Sequence, residues 1–444
     1  MRIAVADESL LNYLSNIARQ AKFSVGLILG QQCQGKDYVI HFAKTPPLSS
    51  GTSEEPAKVL KCVTDVNESW VGDHARIATR MMPGGMYVLG MFVVSQDDLI
   101  SPLHPKIKAS LVQIHKHLES NKYLYGNFSS EKLVLNFNCN TNKYICKSYD
   151  VSSTNLATAD IKFVSQNWRW MQFDCFYLLD YIYNIIPKEL ESPLKEHVDV
   201  ILDAIYDILS NAAYLYDGLQ KHDTDAVDTI HKKMPKSSRS HKSSKEEQDI
   251  KPIAVSIYQN CNSGAPTYNV MESGGQINVL GHVATKLWLH PKLPISEARK
   301  SIIHDIMRSL SARLEMHWDS LTEEEHAEDI NSIHEPPRRV IVAHPKNDVM
   351  LSDYIFPGEG PEDAKTTLEE MLDIKIKDNS DITDIEGQAE TTQYLTDNLE
   401  TESEESLPKI PESNYFMYII GLSVALLVLI ISMFVHFYNN SYLN

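Results

Sequence analysis

Apolar runs alternate with turn-forming residues along the first 150 positions and predict a sheet with helices packed on it. Residues 23–30 and 38–43 are apolar runs joined by QQCQGKD, whose Gly and Asp suit a hairpin connection, so we predict two antiparallel strands. Residues 70–82 have helical spacing and end at a Pro-Gly-Gly turn, after which residues 86–94 predict a buried strand. A further amphipathic helix is predicted by apolar residues three and four positions apart: Ile107, Leu111, Ile114 and Leu118.

The same patterns continue beyond this first group of elements. Residues 133–139 and 144–149 predict another strand pair, and strands are also expected at 253–258, 276–290 and 340–343. A helix between the last two strands is indicated by Ile302, Ile303, Ile306, Leu310 and Leu314. Strands and helices follow one another in both halves, so the predicted fold class is α+β.

Changes in composition divide the chain into segments. We expect a first α+β domain at residues 1–150 and a connecting α/β segment at 151–216. A basic Ser-rich loop at 217–251 then leads to a second α+β domain at 252–374, which ends in a short helix. Acidic and small polar residues dominate 375–413, which favours a flexible tether.

One segment near the carboxyl end is apolar enough to cross a bilayer. Residues 415–435, bounded by Tyr415 and Val435, contain no charge and are long enough for about 30 Å of hydrocarbon. Aromatic residues lie at both ends, where the interface favours them. A short tail, residues 436–444, follows, so we predict a tail-anchored transmembrane helix. Because the first residues lack the continuous apolar core of a signal peptide, the rest of the chain is expected to face the cytosol.

Charge argues against nucleic acid as a partner. The 444 residues contain 41 Lys and Arg against 59 Asp and Glu, a formal charge of −18. Binding to phosphates requires a basic surface, and the basic run between Lys232 and Lys245 is interleaved with Ser in the manner of a solvated loop.

Candidate catalytic and metal motifs are few. QQCQG around Cys33 is similar to the caspase nucleophile pattern, but that family needs a histidine some fifty residues upstream, which this position excludes. His115 and His117 form a His-x-His pair, yet on a helix their side chains diverge by about 200°. No hydrolase elbow, phosphate-binding Gly-rich loop or His-Glu-x-x-His helix occurs. We therefore expect a binding protein without cofactors rather than an enzyme.

The order FSVGLILG, YVIHFA, HARIATRMMPGG and MYVLGMFVV resembles the MPN fold, whose catalytic members are zinc isopeptidases that cut ubiquitin-like conjugates. In those members the strand that matches 88–94 ends in Gly-Trp-Tyr, which is followed by a His-x-His that holds the metal. Gly90, Met91 and Phe92 stand at the first three of these positions. The positions of the His-x-His are occupied by Val93, Val94 and Ser95. Valine cannot ligate zinc, so the resemblance implies the non-catalytic branch.

Several stretches together resemble the odorant-response-abnormal family of membrane proteins: YLSNI, KDYVI, RMMPGGMYVLGMFVV, VMLSDYIF, EEMLD and the carboxy-terminal span. The most specific piece is residues 80–94, with the signature positions Arg80, Pro83, Gly84, Gly85 and Gly90. The resemblance implies a role in trafficking odorant-type G-protein-coupled receptors at the endoplasmic reticulum. It also implies that the chain holds a cysteine protease for the ubiquitin-fold modifier at that membrane.

These observations predict a tail-anchored, non-enzymatic adaptor in the endoplasmic reticulum membrane. Its partners would be receptors, the modifier protease and the lipid bilayer. The alternative is an MPN-type zinc isopeptidase. We expect the partner surface on the helices at 70–82 and 107–118, whose apolar residues would otherwise belong to the core.

Overall fold

The amino-terminal part of the chain closes into a barrel. The computed structural model describes residues 2–48, 60–126, 129–166, 169–231, 251–259, 272–323 and 335–386. The barrel strands are β1 (Arg2–Asp7), β2 (Ser24–Cys33), β3 (Lys36–Lys44), β4 (Tyr87–Ser95), β5 (Glu131–Asn138), β6 (Tyr144–Asp150) and β7 (Asn155–Val164). They are hydrogen-bonded in the order β1-β3-β2-β4-β5-β6-β7, and β7 pairs with β1. The pairs β1–β3, β1–β7 and β4–β5 are parallel, and the other four pairs are antiparallel.

Helices cover both faces of the central barrel strands. They are α1 (Glu8–Gln20), α2 (Glu68–Arg80), α3 (Pro105–Glu119) and the single turn α4 (Lys122–Tyr125). The apolar side of α1 packs with Ile28, Phe42 and Phe92, whereas α2 and α3 pack with Val25 and Leu27 on the opposite face. Because both faces are covered, β2 and β4 read as nearly continuous apolar runs rather than as alternating strands.

The predicted hairpin and amphipathic helix are confirmed. Gln34 and Gly35 adopt φ of 50° and 74° between β2 and β3, the left-handed backbone that a tight two-residue hairpin needs. The four apolar residues predicted on one face of α3 are all buried. The pair β1 and α1 was not predicted, because β1 is a short strand whose two fully buried side chains are the small Ala4 and Ala6.

A second sheet has the order β11-β8-β10-β9. Its strands are β8 (Met171–Ile185), β9 (Ala213–Tyr216), β10 (Ile253–Tyr258) and β11 (Gly275–Leu289). Two helices, α5 (Leu194–Ser210) and α6 (Ile295–Glu323), pack with the inner face of this sheet in one apolar cluster. Residues 151–216, expected to connect two domains, thus contain a long strand and a helix, and β8 pairs with β11 along 15 positions.

A small third sheet completes the described structure. It has the order β13-β12-β14, with β12 (Arg338–Ala343), β13 (Met350–Ile355) and β14 (Ile382–Asp384), and it is accompanied by α7 (Pro361–Leu372). Its buried residues belong to the same cluster as α2 and α3. The described residues form one compact unit. The predicted α+β class is confirmed.

The carboxy-terminal predictions fall largely outside the described residues. Of the expected tether 375–413, residues 375–386 are described, and three of them form β14. The predicted span bounded by Tyr415 and Val435 and the tail 436–444 lie outside, as do residues 232–250 of the basic loop. In the described ranges, no helix combines the length and apolarity required to cross a membrane.

Candidate functional site

The signature segment lies in the turn between α2 and β4, against the middle of α6. The backbone N–H of Gly84 donates to Oδ1 of Asp305 at 2.6 Å. A Cβ at Gly84 would lie 2.4 Å from the carbonyl oxygen of Ser301, and Gly85 has a φ of +79°. Glycine is therefore required at both positions, because the turn approaches the helix backbone too closely for a side chain.

A buried arginine on α6 holds the same turn. Arg308 is 1% exposed. Its Nη1 donates to the carbonyl oxygens of Met82 and Pro83 at 2.8 and 3.1 Å. Its Nη2 and Nε donate to the carbonyl oxygens of Met86 and Leu124 at 3.1 and 3.0 Å. One side chain thus donates to four carbonyl groups of the turn and of α4, as a buried guanidinium must to be satisfied.

An ion pair extends this contact to the third sheet. Asp305 is fully buried and accepts from Nη1 and Nη2 of Arg339 at 2.7 and 3.1 Å. Arg339 lies on β12, so the pair links α6, the signature turn and β12. The geometry is bidentate, the strongest form of a side-chain ion pair.

The remaining signature residues also fix elements in place. Arg80 donates to Oε2 of Glu315 on α6 at 2.6 Å. A Cβ at Gly90 would lie 1.9 Å from the carbonyl oxygen of Leu133, so the close approach of β4 to β5 requires glycine at this position. The structure therefore brings Arg80, Pro83, Gly84 and Gly85 together on α6, while Gly90 lies on the barrel. The arrangement positions the second sheet on the barrel.

The histidine and cysteine candidates from the sequence do not form a shared metal site. His115 and His117 contact different carboxylates, Glu119 at 3.1 Å and Asp73 at 3.3 Å. In the chain as described, no three His, Cys, Asp or Glu residues are grouped so that they could hold a metal ion. Val93 and Ser95, at the two histidine positions of the isopeptidase motif, are buried, as is Val94 between them. The Ser95 hydroxyl donates to the carbonyl oxygen of Asp97 at 2.6 Å.

Cys33 contacts His290, a contact that could not be predicted from the sequence. Its Sγ lies 3.6 Å from Nδ1 of His290, 257 positions away in the chain. Burial raises the pKa of the Cys33 thiol, and burial, with Lys292 and Lys36 nearby, lowers the pKa of His290 to about 4. Both groups are kept neutral, the opposite of the thiolate–imidazolium pair of a cysteine nucleophile.

The apolar faces of α2 and α3, the helices expected to carry the partner surface, are buried in the core. On α2, Val71, Ala75 and Ala78 are buried, and on α3 the predicted apolar residues are buried as well. The ring of His117 would lie 2.8 Å from a Cβ at Gly72, so the two helices pack closely. These faces belong to the core, and the expectation that they form a surface for partners is corrected.

An open cleft lies instead between α4, α5 and α6. It consists of two cavities of about 570 and 700 Å³ that share Lys122, Tyr123 and Asp203. The first cavity is lined by three tyrosines, Tyr87, Tyr123 and Tyr206. The second is lined by Trp318 and by aliphatic residues: Leu194, Val198, Leu202, Leu314 and Leu321. The lining of the cleft is therefore partly apolar and partly polar.

A short polar bridge divides the two cavities. Nζ of Lys122 lies 2.8 Å from Oδ1 of Asp203, and the Tyr123 hydroxyl donates to the same carboxylate. These two contacts lower the pKa of Asp203, whereas burial and Asp203 raise the pKa of Tyr123 to about 12. Asp203 is therefore charged and Tyr123 neutral near pH 7.

The rim of the cleft on α5 is acidic. Asp199, Asp203 and Asp207 follow one another at intervals of four residues and are exposed, so they line one edge of the helix. Sequence analysis missed this rim, although the four-residue spacing of the aspartates is visible in VDVILDAIYDIL. The opposite wall could not be anticipated, since α6 is 100 residues further along the chain.

Comparisons with known proteins place the chain in a family. The chain is 28% identical to the protein odr-4 homolog of Homo sapiens over 397 residues, 85% of each chain. It is 26% identical to the Mus musculus homolog over 98% of this chain and 99% of that one. The odorant response abnormal protein 4 of Caenorhabditis elegans is 24% identical over 79% of this chain and 72% of its own.

Among solved structures, the chain is similar to UfSP from C. elegans, with a TM-score of 0.41, 8% identity and coverage of 84% of this chain and 57% of that one. The family model described as ODR4-like, odorant response abnormal 4-like, matches residues 26–383. This match includes the signature turn, α6 and both walls of the cleft, and the chain belongs to the ODR4-like family.

Proposed function

We propose that the chain is a tail-anchored adaptor that assists the trafficking of a subset of G-protein-coupled, odorant-type receptors at the endoplasmic reticulum. The proposal includes recruitment of a ubiquitin-fold-modifier-specific cysteine protease to that membrane. The observation that carries it is membership of the ODR4-like family across residues 26–383, with relatives named for an abnormal odorant response.

A binding role also agrees with the chemistry of the described residues. The thiol of Cys33 and the imidazole of His290, which lie in contact, are buried and held neutral. The isopeptidase alternative would need ligands where the chain has two buried valines and a serine. The signature residues hold helices and strands together.

The cleft between α4, α5 and α6 is the surface that we assign to the receptor. Cytoplasmic segments beside membrane spans carry an excess of Lys and Arg. The aspartates of the α5 rim repeat every helical turn, and the floor between them and α6 is apolar. A basic amphipathic segment of a receptor would pair its charges with this rim and bury its apolar side in the cleft.

The anchor acts through concentration. Confinement of the adaptor to the membrane that contains its client raises the effective concentration of the pair without any additional contact. The predicted span bounded by Tyr415 and Val435 supplies this confinement, with the described residues on the cytosolic side.

Co-purification of a tagged odorant-type receptor tests the adaptor role. Asp199→Lys with Asp207→Lys reverses the rim without touching the bridge at Asp203, and we expect receptor recovery to fall at least about tenfold. A matched control, Asp97→Lys with Asp348→Lys, makes the same change of charge at exposed sites outside the cleft and should keep recovery within about twofold. Equal recovery with both variants would contradict the assignment of the cleft. Failure of the unmodified chain to recover any receptor would contradict the adaptor role.

A further inference from the structure

The residues that follow α7 lie along the third sheet. Ile374, Ile376 and Ile382 are buried in the same apolar cluster as α2 and α3. Residues 382–384, as β14, pair with residues 340–342 of β12. We name residues 373–386 the strap, since they cross the fold from the end of α7 to the last described residue.

The strap ends with a carboxylate inserted between three elements. The side chain of Glu386 is 4% exposed. Its Oε1 accepts from the backbone N–H of Ala284, on β11, at 3.1 Å, and its Oε2 accepts from the backbone N–H of Arg339, on β12, at 2.9 Å. Nη2 of Arg313, on α6, also donates to Oε1. Glu386 therefore joins the second sheet, the third sheet and α6 at one point.

The same residue covers part of a sheet edge. β11 is the outermost strand of the second sheet as described, with β8 on its other side. Nε2 of His282, on β11, donates to the carbonyl oxygen of Glu386 at 3.2 Å, two residues before the N–H of Ala284 that the carboxylate binds. An uncovered strand edge offers unpaired N–H and C=O groups to other chains. The end of the strap covers this edge.

Glu386 makes the most buried polar contact of the strap. The other ion pair, Arg338 with Asp384 at 2.7 Å, joins side chains that are 24% and 34% exposed, and such exposed pairs contribute little. Arg313 and Glu386 are only 13% and 4% exposed, so loss of the carboxylate would leave a largely buried guanidinium without its partner. Because β14 has three residues, we expect the strap to depend on Glu386 to stay in place.

We propose that the strap opens and closes as one unit, and that Glu386 keeps it closed. The closed strap fixes Glu386 as the point from which the rest of the chain continues. Opening back to the end of α7 adds residues 373–386 to the link toward the predicted span and increases its maximum reach by about 46–50 Å. A longer link lowers the effective concentration of whatever it joins, so the strap regulates the reach of the adaptor. This consequence rests on the proposed function, whereas the opening itself does not.

Hydrogen exchange of the full chain in a mild non-ionic detergent, followed by mass spectrometry, tests the proposal. In the wild type, the amides of residues 376–386 should be protected. Glu386→Gln removes the charge opposite Arg313, and the same amides should exchange at least about tenfold faster, while those of β2 and α3 keep their rates. Glu370→Gln makes the same change at an exposed position on α7 and should stay within about twofold of wild type.

Trypsin provides a second measurement, because Lys375 and Lys377 flank the buried Ile376. Cleavage at these lysines requires an open strap and should accelerate with Glu386→Gln but not with Glu370→Gln. An unprotected strap in the wild type, or equal rates in wild type and Glu386→Gln, would overturn the proposal. Faster exchange throughout β2 and α3 would overturn it as well, since Glu386 would then support the whole fold. Neither measurement contains a receptor, so neither result depends on the adaptor role.

Discussion

Individual buried polar residues decide how the two larger parts of this fold meet. Asp305 and Arg308 lie on a helix whose neighbouring positions, Ile302 and Ile306, are fully buried and apolar. A buried charge is costly unless it is paired and hydrogen-bonded. Here Asp305 pairs with Arg339, and Arg308 donates to four carbonyl groups. The junction therefore specifies one arrangement of the signature turn, α6 and β12.

Gly84→Ala should lower the free energy of unfolding by about 2–3 kcal/mol, because its methyl group would lie 2.4 Å from the carbonyl oxygen of Ser301. Urea denaturation followed by tryptophan fluorescence measures the change. Gly275→Ala is the matched control, since the nearest atom to its Cβ lies at 3.7 Å, and it should cost less than about 0.5 kcal/mol. Equal effects at the two glycines would contradict the close approach of turn and helix.

Asp305→Leu alone leaves the Arg339 guanidinium buried without its carboxylate and should cost about 3–5 kcal/mol. The double variant Asp305→Leu with Arg339→Leu removes both charges, so it should cost less than the sum of the two single variants. A double-mutant cycle in urea measures this coupling. Strict additivity would show that the two side chains do not act as a pair.

At the scale of elements, two buried histidines hold the end of α7 against β3 and α2, and a third histidine contacts one of them. Nε2 of His41, on β3, donates to the carbonyl oxygen of Leu372 at 2.6 Å. Nε2 of His74, on α2, donates to the carbonyl oxygen of Met371 at 2.7 Å. Nε2 of His344 lies 3.2 Å from Nδ1 of His41. The bonds from His41 and His74 satisfy two carbonyl groups of the last turn of α7, where a helix leaves them without intrahelical partners.

The three buried histidines predict a loss of stability in acid. Burial lowers the pKa of His41 and His74 to about 4, and burial together with His41 lowers the pKa of His344 to about 2, from 6.5. Below pH 6.5 the unfolded chain binds protons that the folded chain does not. Stability is therefore fully present above pH 6.5 and falls as the pH drops toward 4, by roughly 1.4 kcal/mol per pH unit for each histidine.

Urea midpoints between pH 7 and pH 5 measure that slope. His344→Gln removes one of the three groups, so the slope of the variant should be smaller by about one proton. The comparison with wild type cancels groups that titrate in the opposite direction, such as Asp353, whose pKa is raised to about 7 by burial. Identical slopes would contradict a neutral, buried His344.

Elements with strong periodicity were predictable, and those defined by distant partners were not. The apolar spacing of α3 and the Gly-containing hairpin between β2 and β3 identify themselves locally. By contrast, β8 carries Phe176, Leu178 and Ile182 on its exposed face, so its sequence lacks the polar–apolar alternation of a half-buried strand. The cleft could not be predicted either, because α5 and α6, which form its walls, are separated by about a hundred residues in the chain.

At the scale of the whole molecule, three parts of the chain have separate tasks. The signature turn and α6 fix the described residues into one unit. The cleft offers the acidic surface that we propose for a basic segment, and the predicted carboxy-terminal span is proposed as the anchor.

Receptor delivery to the cell surface tests the central claim, that a membrane-bound adaptor assists receptor trafficking, most directly. Cells that lack the protein would receive the full chain, a chain that ends at Ser413, or residues 1–413 fused to an unrelated tail anchor of the endoplasmic reticulum. Surface receptor would be measured by flow cytometry at matched expression. We predict that the full chain and the exchanged anchor restore delivery and that the truncated chain does not. Equal rescue by the truncated chain would contradict the account.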